Sequence, residues 1–405
     1  MDWDQQPETP EETGPQTMAI AFRQPKPEEK SRRPVIVAAV LAVLALIAGV
    51  TFVIGFTGDE PSGSPASNDL VSERTAEEQG GSGEADQEPA AEPTSGAAAD
   101  VKVGVFRGTK PAEVGEFEEW LGRDIAYAVD YSNRDQWDDV ANPTYMLQAW
   151  EGSGYRMVYG VVMLPAHDDS ATLAAGAAGD YDDYYRTLAQ NLVEYGQGDS
   201  IIRLAWEFNV RKGRWNLQAA DRDDFVAYWR NIVTTMRSVP GAEKLEFDWN
   251  VNNGGETFDS TVYYPGEEFV DYIGVDVYDI AWTEGSYPYP SGCNTACRKL
   301  HQEVAWDSIT DAGYGLDFWS AFAAEQGKPL SMPEWGLWDR TETDSQGGMD
   351  NPFFIQQMFE FIDDPQNNVA YQAYFDVNPE GKGKHQLADL PRGQARFKKL
   401  FGSGG

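Results

Sequence analysis

Two glutamates stand where apolar, strand-like runs give out. Glu207 closes "IIRLAWE" and Glu334 sits in "SMPEWGLW", each beside a tryptophan. A carboxylate among β-branched and aromatic neighbours is costly unless it is paired or used. Two such carboxylates facing one cleft are what cleavage of a glycosidic bond requires. One, kept protonated, donates its proton to the leaving oxygen; the other, ionised, attacks the anomeric carbon or activates water. Partial burial at the floor of a cleft would raise the pKa of the donor toward the value a proton donor needs. The competing structural reading is that each glutamate satisfies a buried arginine, with Arg203 the candidate for Glu207.

Eight candidate strands position these residues: Val101 to Gly108, Ile125 to Tyr131, Arg156 to Leu164, Ser200 to Glu207, Leu245 to Val251, Asp271 to Tyr278, Pro329 to Trp335 and Val369 to Asp376. Helical spacing appears between them at Ala112 to Leu121, Tyr181 to Tyr195, Asp224 to Ser238, Ala305 to Gln326 and Pro352 to Ile362, with "GQARFKKLFG" as a closing helix. The second and fifth crossovers are weakly periodic. Strands alternating with helices pair in parallel through right-handed crossovers, and eight such units predict an α/β fold, the closed (β/α)8 TIM barrel. A doubly wound open sheet is the alternative, but "GVFRGTK" after the first strand lacks a dinucleotide or phosphate-loop fingerprint. In a parallel barrel the site lies at the C-terminal strand ends, where Glu207 on the fourth run and Glu334 on the seventh would meet across the mouth.

A groove for sugars combines aromatic platforms with polar side chains. Trp215 follows the fourth run, Trp249 and Asn250 lie in the fifth, Trp282 follows the sixth, and Trp335 and Trp338 flank the seventh. Trp229 and Trp319 fall in helical patterns and read as core. His167, after the third run, is a lone histidine in a loop and reads as exposed.

"IIRLAWEFN", "IGVDVYD" and "MPEWGLW" resemble the motifs of glycoside hydrolase family 26, part of the large clan of retaining barrel enzymes, over essentially Val101 to Phe401. The resemblance implies Glu207 as acid/base and Glu334 as nucleophile, with Tyr278 near the nucleophile and Asp276 supporting it. Arg203, Trp206 and Asn209 join the expected substrate-binding set. The family is best known for endo-β-1,4-mannanases, with β-1,3-xylanases and mixed-linkage β-glucanases as minority activities. Family members commonly place histidine immediately before the acid/base, where this chain has Trp206. Tryptophan stacks or donates one N–H but does not titrate, so ring contacts near the cleavage point differ. The expected activity is hydrolysis of a β-linked polysaccharide or oligosaccharide, β-mannan-type first. A β-1,3- or mixed-linkage glucanase, a remodelling enzyme for an endogenous surface glycan, and a catalytically weak polysaccharide-binding barrel are the alternatives.

Other chemistries are poorly supported. No G-x-S-x-G occurs and the chain has 3 His in all. Clustered zinc ligands are absent from the sequence pattern, and no cofactor or metal is called for. With 66 acidic and 31 basic residues, net charge −35, the chain lacks the clustered cations a nucleic-acid surface needs. Cys293 and Cys297, in "SGCNTACRKL", are the two cysteines, and on the outer side of a membrane they predict a disulfide.

That topology rests on "PVIVAAVLAVLALIAGVTFVIGF", residues 34–56, uncharged and long enough to cross a hydrocarbon core of about 30 Å. The run exceeds a signal-peptide core of roughly 7 to 15 residues and no clear cleavage site follows, so a retained anchor is expected. Arg23, Lys26, Lys30, Arg32 and Arg33 precede it, while Asp59, Glu60 and Asp69 follow. Positive-inside bias predicts a cytoplasmic N-terminus and an extracellular barrel. The chain thus reads as a disordered tail (1–33), an anchor (34–56), a Gly/Ser/Pro/Ala/Glu-rich linker (57–100) and a barrel (101–405), single-pass in the cell membrane and monomeric.

Overall fold

The computed structural model describes residues 102–210, 217, 221–254 and 259–403. The apolar run at 34–56, its flanking tail and linker, and Trp215 lie outside these residues. Among the described residues no helix is long and apolar enough to cross a membrane.

Eight parallel strands close into a barrel: β1 (Lys102–Phe106), β2 (Tyr127–Tyr131), β3 (Arg156–Val161), β4 (Ile201–Leu204), β5 (Glu246–Asn252), β6 (Tyr272–Tyr278), β7 (Leu330–Gly336) and β8 (Val369–Phe375). Each pairs with its neighbour in sequence, and β8 returns to β1 with Gly104 opposite Ala373. All eight expected strands form; most are trimmed at their ends, while β5 and β7 each start one residue later and end one residue later than expected.

The helices follow the periodic segments. They are α1 (Pro111–Leu121), α2 (Trp137–Ala141), α3 (Thr144–Trp150), α4 (Leu173–Ala177), α5 (Asp182–Glu194), α6 (Arg222–Arg237), α7 (Thr295–Thr310), α8 (Leu316–Glu325), α9 (Pro352–Asp363) and α10 (Pro391–Phe401). The segment expected as one helix from Ala305 to Gln326 is two, interrupted by "DAGYG" with its pair of glycines. The weak second crossover is built from the short α2 and α3, and the fifth, among the described residues, holds only 3-10 turns at Ser260–Tyr263 and Glu267–Phe269.

Inside and outside are set by alternation along each strand. On β5, Phe247, Trp249 and Val251 join the large apolar layer between barrel and helices, while Asp248, Asn250 and Asn252 point inward. Trp229 and Trp319 are fully buried in the outer layer, as their helical spacing requires. The interior is divided. On one side Phe106, Val129, Val158, Ile201, Tyr371, Ala373 and Phe375 form an apolar plug. On the other, β4 to β7 bury Arg203, Asp248, Asn250, Asp276 and Ser331. Gly274 on β6 makes room for this polar half, because a Cβ there would fall 2.1 Å from Asp248 Oδ1.

Alternation fails at one place that matters. Ser331 donates to Asp248 from inside the barrel at 2.6 Å, so strict parity would put Trp335 inside and Glu334 outside. Instead β7 shifts register against β6 and again against β8, between Met332 and Trp335. Pro333, which has no N–H to give the ladder, sits in that irregularity. The bulge turns Glu334 into the barrel and Trp335 out of it.

Candidate active site

Glu334 is 9% exposed and receives donors on both carboxylate oxygens. Tyr278, at the end of β6, donates to Oε1 at 2.6 Å, and Tyr131, at the end of β2, donates to Oε2. Arg203 Nη1 approaches Oε2 at 3.4 Å. Burial drives the pKa of both phenols well above the usual tyrosine range, and the Glu334 charge adds to that, so they stay neutral donors.

Beneath lies a fully buried polar network. Arg203 Nη2 pairs with Asp276 Oδ2 at 2.5 Å and bonds Asn250 Oδ1 at 2.7 Å, while Nη1 donates to the Tyr131 hydroxyl at 2.8 Å. Asn250 Nδ2 donates to Asp276 Oδ1 at 3.0 Å. Burial pushes the Asp276 carboxyl well above the usual range; Arg203 opposes this, and the nearby Glu334 and Glu207 charges reinforce it. Asp276 thus senses both glutamates, and the carboxyl groups outnumber the guanidinium. Ionising Asp276 would add negative charge to a buried cluster that already faces both glutamates, which is the direction of its shift.

Glu207 was expected at the end of β4, but that strand stops at Leu204. The next residues form a turn with Ala205 at φ 49° and Glu207 at φ 53°, a left-handed conformation rare for residues with side chains. The turn is clamped to β5. Glu207 N donates to Asn250 O at 3.0 Å, and Asn252 Nδ2 donates to Glu207 Oε1 at 2.5 Å. Asn209 exchanges bonds with the Asn252 backbone, 2.8 Å in each direction. Asn209, expected to bind substrate, therefore holds the Glu207 turn in place.

Other expected contacts are also relocated. Trp249 packs among Phe208, Trp319 and Phe322 outside the barrel, and Trp335 against Phe397 and Phe401, both fully buried. Neither reaches the mouth, because Trp249 lies on the outward parity of β5 and Trp335 is turned outward by the register shift in β7. Arg203 and Asp276 are likewise fully buried, so they position Glu334 rather than touch a ligand. Trp206 is 3% exposed, its ring 5.3 Å from that of Tyr131. Gly160 on β3 permits this pair, since a Cβ there would meet the Tyr131 ring at 2.4 Å.

The open aromatic surface is at Trp282, 49% exposed, with the Arg340 guanidinium 5.9 Å from its ring. Arg340 also lies 4.3 Å over Trp338, which in turn packs against Tyr278 at 5.1 Å. Trp282→Ala is expected to leave stability within about 0.5 kcal/mol and to cost about 0.5–1.5 kcal/mol of oligosaccharide binding. Trp249→Ala is expected to cost about 3–5 kcal/mol of stability, read by denaturant melts of the two variants side by side.

The residues that spacing missed are Tyr131, Asn252 and His385. Tyr131 ends an expected strand, which was the available signal. His385 lies in the loop after β8, fully enclosed, its Nδ1 2.9 Å from the Leu337 carbonyl and its ring 4.5 Å from that of Trp338. A carbonyl only accepts, so Nδ1 carries the proton. Burial lowers its pKa to about 3. The unfolded chain then binds a proton that the native state refuses between about pH 6.5 and 3, so this contribution falls as pH drops. Between pH 6.5 and 5 the loss is about 1.5–2 kcal/mol. Melts of His385→Gln across that range should show a flatter pH dependence than the parent.

His167 is exposed, 3.7 Å from Asp135. Cys293 and Cys297 form the expected disulfide at the start of α7. His301 lies near enough to complete a three-ligand cluster with them, a proximity that sequence spacing did not convey, but the sulfurs are bonded to each other.

Residues 181–290, which include Glu207 but not Glu334, match the family model described as "Glycosyl hydrolase family 26". The chain is 26% identical over 323 residues to Endoglucanase H of Acetivibrio thermocellus, covering 75% of this chain and 31% of that protein. It thus spans about a third of the length of this curated relative. Among solved structures it resembles a modular endo-β-1,4-mannanase from Cellulomonas fimi, with TM-score 0.52 and 17% identity, covering 75% of this chain and 72% of that one. That likeness bears on the fold. The stretch of this chain similar to glycosyl hydrolase family 26 thus spans β4 to β6 and takes in the turn that carries Glu207 and the strand that carries Asp276 and Tyr278.

Proposed function

We propose that this chain is a retaining glycosidase acting on a β-linked polysaccharide, β-mannan-type first, through Glu334 as nucleophile and Glu207 as acid/base. The observation that carries this reading is the Glu334 carboxylate, held by Tyr131, Tyr278 and Arg203 at the C-terminal mouth. The Glu207 charge is felt by the same buried Asp276. In the first step Glu334 attacks the anomeric carbon while Glu207 gives its proton to the departing glycosidic oxygen. In the second, Glu207 takes a proton from water, the hydroxide displaces Glu334, and the sugar leaves with its anomeric configuration retained. Tyr131 and Tyr278 fix the direction of attack; Arg203 balances charge from below.

A β-glucan is the second reading, favoured by the relative named Endoglucanase H and by Trp206 in the position where the family commonly has histidine. Residues 34–56 would anchor the chain, with its N-terminus cytoplasmic and the barrel extracellular, acting as a monomer without nucleic-acid partners. Such a tether keeps the barrel within reach of the cell's own surface glycans, so remodelling them is an alternative to digesting external polymer. The test is reducing-sugar release from β-mannans, β-glucans and xylans by the full chain, Glu207→Ala and Glu334→Ala. Release by the parent alone supports the enzyme. Binding of one polymer by all three without release would make it a recognition barrel.

A further inference from the structure

Three described arginines on or just beyond the barrel strands are neutralised by carboxylates. Arg107 pairs with Asp376 at 3.1 Å, Arg203 with Asp276 at 2.5 Å, and Arg340 holds both oxygens of Asp344 at 2.7 and 2.5 Å. Arg134, in the loop after β2, has no carboxylate within ion-pair distance among the described residues. Its neighbour Asp135 acts on it only through space and stands 3.7 Å from His167.

The Arg134 guanidinium lies over the Trp206 indole, 5.6 Å from the ring centre, and Trp206 directly precedes Glu207. Three residues before Arg134, Tyr131 bonds Glu334. The loop is held: Ala166 N donates to Arg134 O at 2.8 Å and His167 N to Asp135 O at 2.9 Å, tying the segments after β2 and β3 together. Burial lowers the Arg134 pKa only to about 10, so the group remains cationic at neutral pH. A partly dehydrated guanidinium without a counter-ion is unfavourable, and an arriving carboxylate relieves it. Stacking on the indole leaves the edge N–H groups available for two parallel bonds to a planar anion.

We propose that Arg134 forms an anion-binding subsite beside the cleavage point and that the substrate is a β-linked glycan carrying hexuronate residues. This rests on the glycosidase reading above and narrows its substrate class. The net charge of −35 repels a polyanion at long range, but salt screens exposed charge beyond about 8–10 Å, so contact with Arg134 decides.

The test compares kcat/KM of the full chain, Arg134→Gln and Arg134→Lys on matched oligosaccharides. The pairs are β-1,4-mannosyl against β-1,4-mannuronosyl and β-1,4-glucosyl against β-1,4-glucuronosyl chains. The uronate member of one pair should be preferred by the parent. Arg134→Gln should lower its kcat/KM about tenfold or more, with the neutral member changed less than about twofold. Arg134→Lys should retain part of the preference, and added salt should erode it. An equal loss on both members in Arg134→Gln, or a parent that prefers the neutral member, overturns the subsite while leaving the glycosidase intact. Cleavage of neither type overturns both.

Discussion

Glu334→Ala is expected to lower kcat about 10⁴-fold or more, because the variant lacks the atom that forms the covalent intermediate. Glu207→Ala should lose about 10²–10⁴-fold on natural glycosides, the usual contribution of a general acid. The two are separable by leaving group. An aryl glycoside with an acidic phenol needs little protonation, so Glu207→Ala should form the intermediate from it and stall at hydrolysis, giving a burst of phenol. Glu334→Ala should give none. Tyr278 and Tyr131 hold the two oxygens of Glu334, so Tyr278→Phe should lower kcat more than it raises KM. Equal losses in both glutamate variants on the activated substrate would mean that the roles are misassigned.

Arg203→Met is expected to destabilise the barrel by about 3–5 kcal/mol, the usual cost of removing one partner from a buried ionic network. Arg203 is fully buried and faces Asp276, Asn250, Tyr131 and Glu334, so its loss strands negative charge inside the barrel. The pH dependence follows in sign. Asp276 already has a raised pKa, chiefly from burial, and loses its one opposing cation in the variant. Protonation removes the stranded charge, so the deficit should shrink as pH falls and grow as pH rises. Denaturant melts of parent and variant from acid to neutral pH measure this. A deficit independent of pH would point to lost packing instead of lost charge balance.

The barrel was legible because its information is periodic. Each strand is an apolar run of ordinary length and most crossovers keep a helical stripe, which is enough to count eight units. What failed was parity. In "FDWNVN" the polar residues Asp248, Asn250 and Asn252 alternate with Phe247, Trp249 and Val251, and that alternation already assigns Trp249 to the outer layer. Reading tryptophan as a sugar platform overrode it. Trp335 is a harder case, because it faces outward only through the register shift around Pro333, and a bulge depends on both neighbouring strands. The same shift is what turns Glu334 inward.

Glu207 was found for a reason that is only partly right. Its strand ends at Leu204, and the carboxylate is presented by a turn with two left-handed residues, stabilised by Asn209 and Asn252 from the clamp to β5. No local propensity favours that conformation at alanine and glutamate; tertiary bonds impose it. Arg203 was weighed as the partner of Glu207 and instead serves Asp276 and Glu334. Only closure of the barrel sets that distance.

The most direct measurement is to incubate the full chain with 2-deoxy-2-fluoro-β-mannosyl and 2-deoxy-2-fluoro-β-glucosyl fluorides, which form the glycosyl-enzyme but release it slowly, and to map the adduct by peptide mass spectrometry. One ester on the peptide containing Glu334, absent from Glu334→Ala, is the predicted result. An adduct on another carboxylate, or turnover of natural substrate with inverted anomeric configuration, would contradict it.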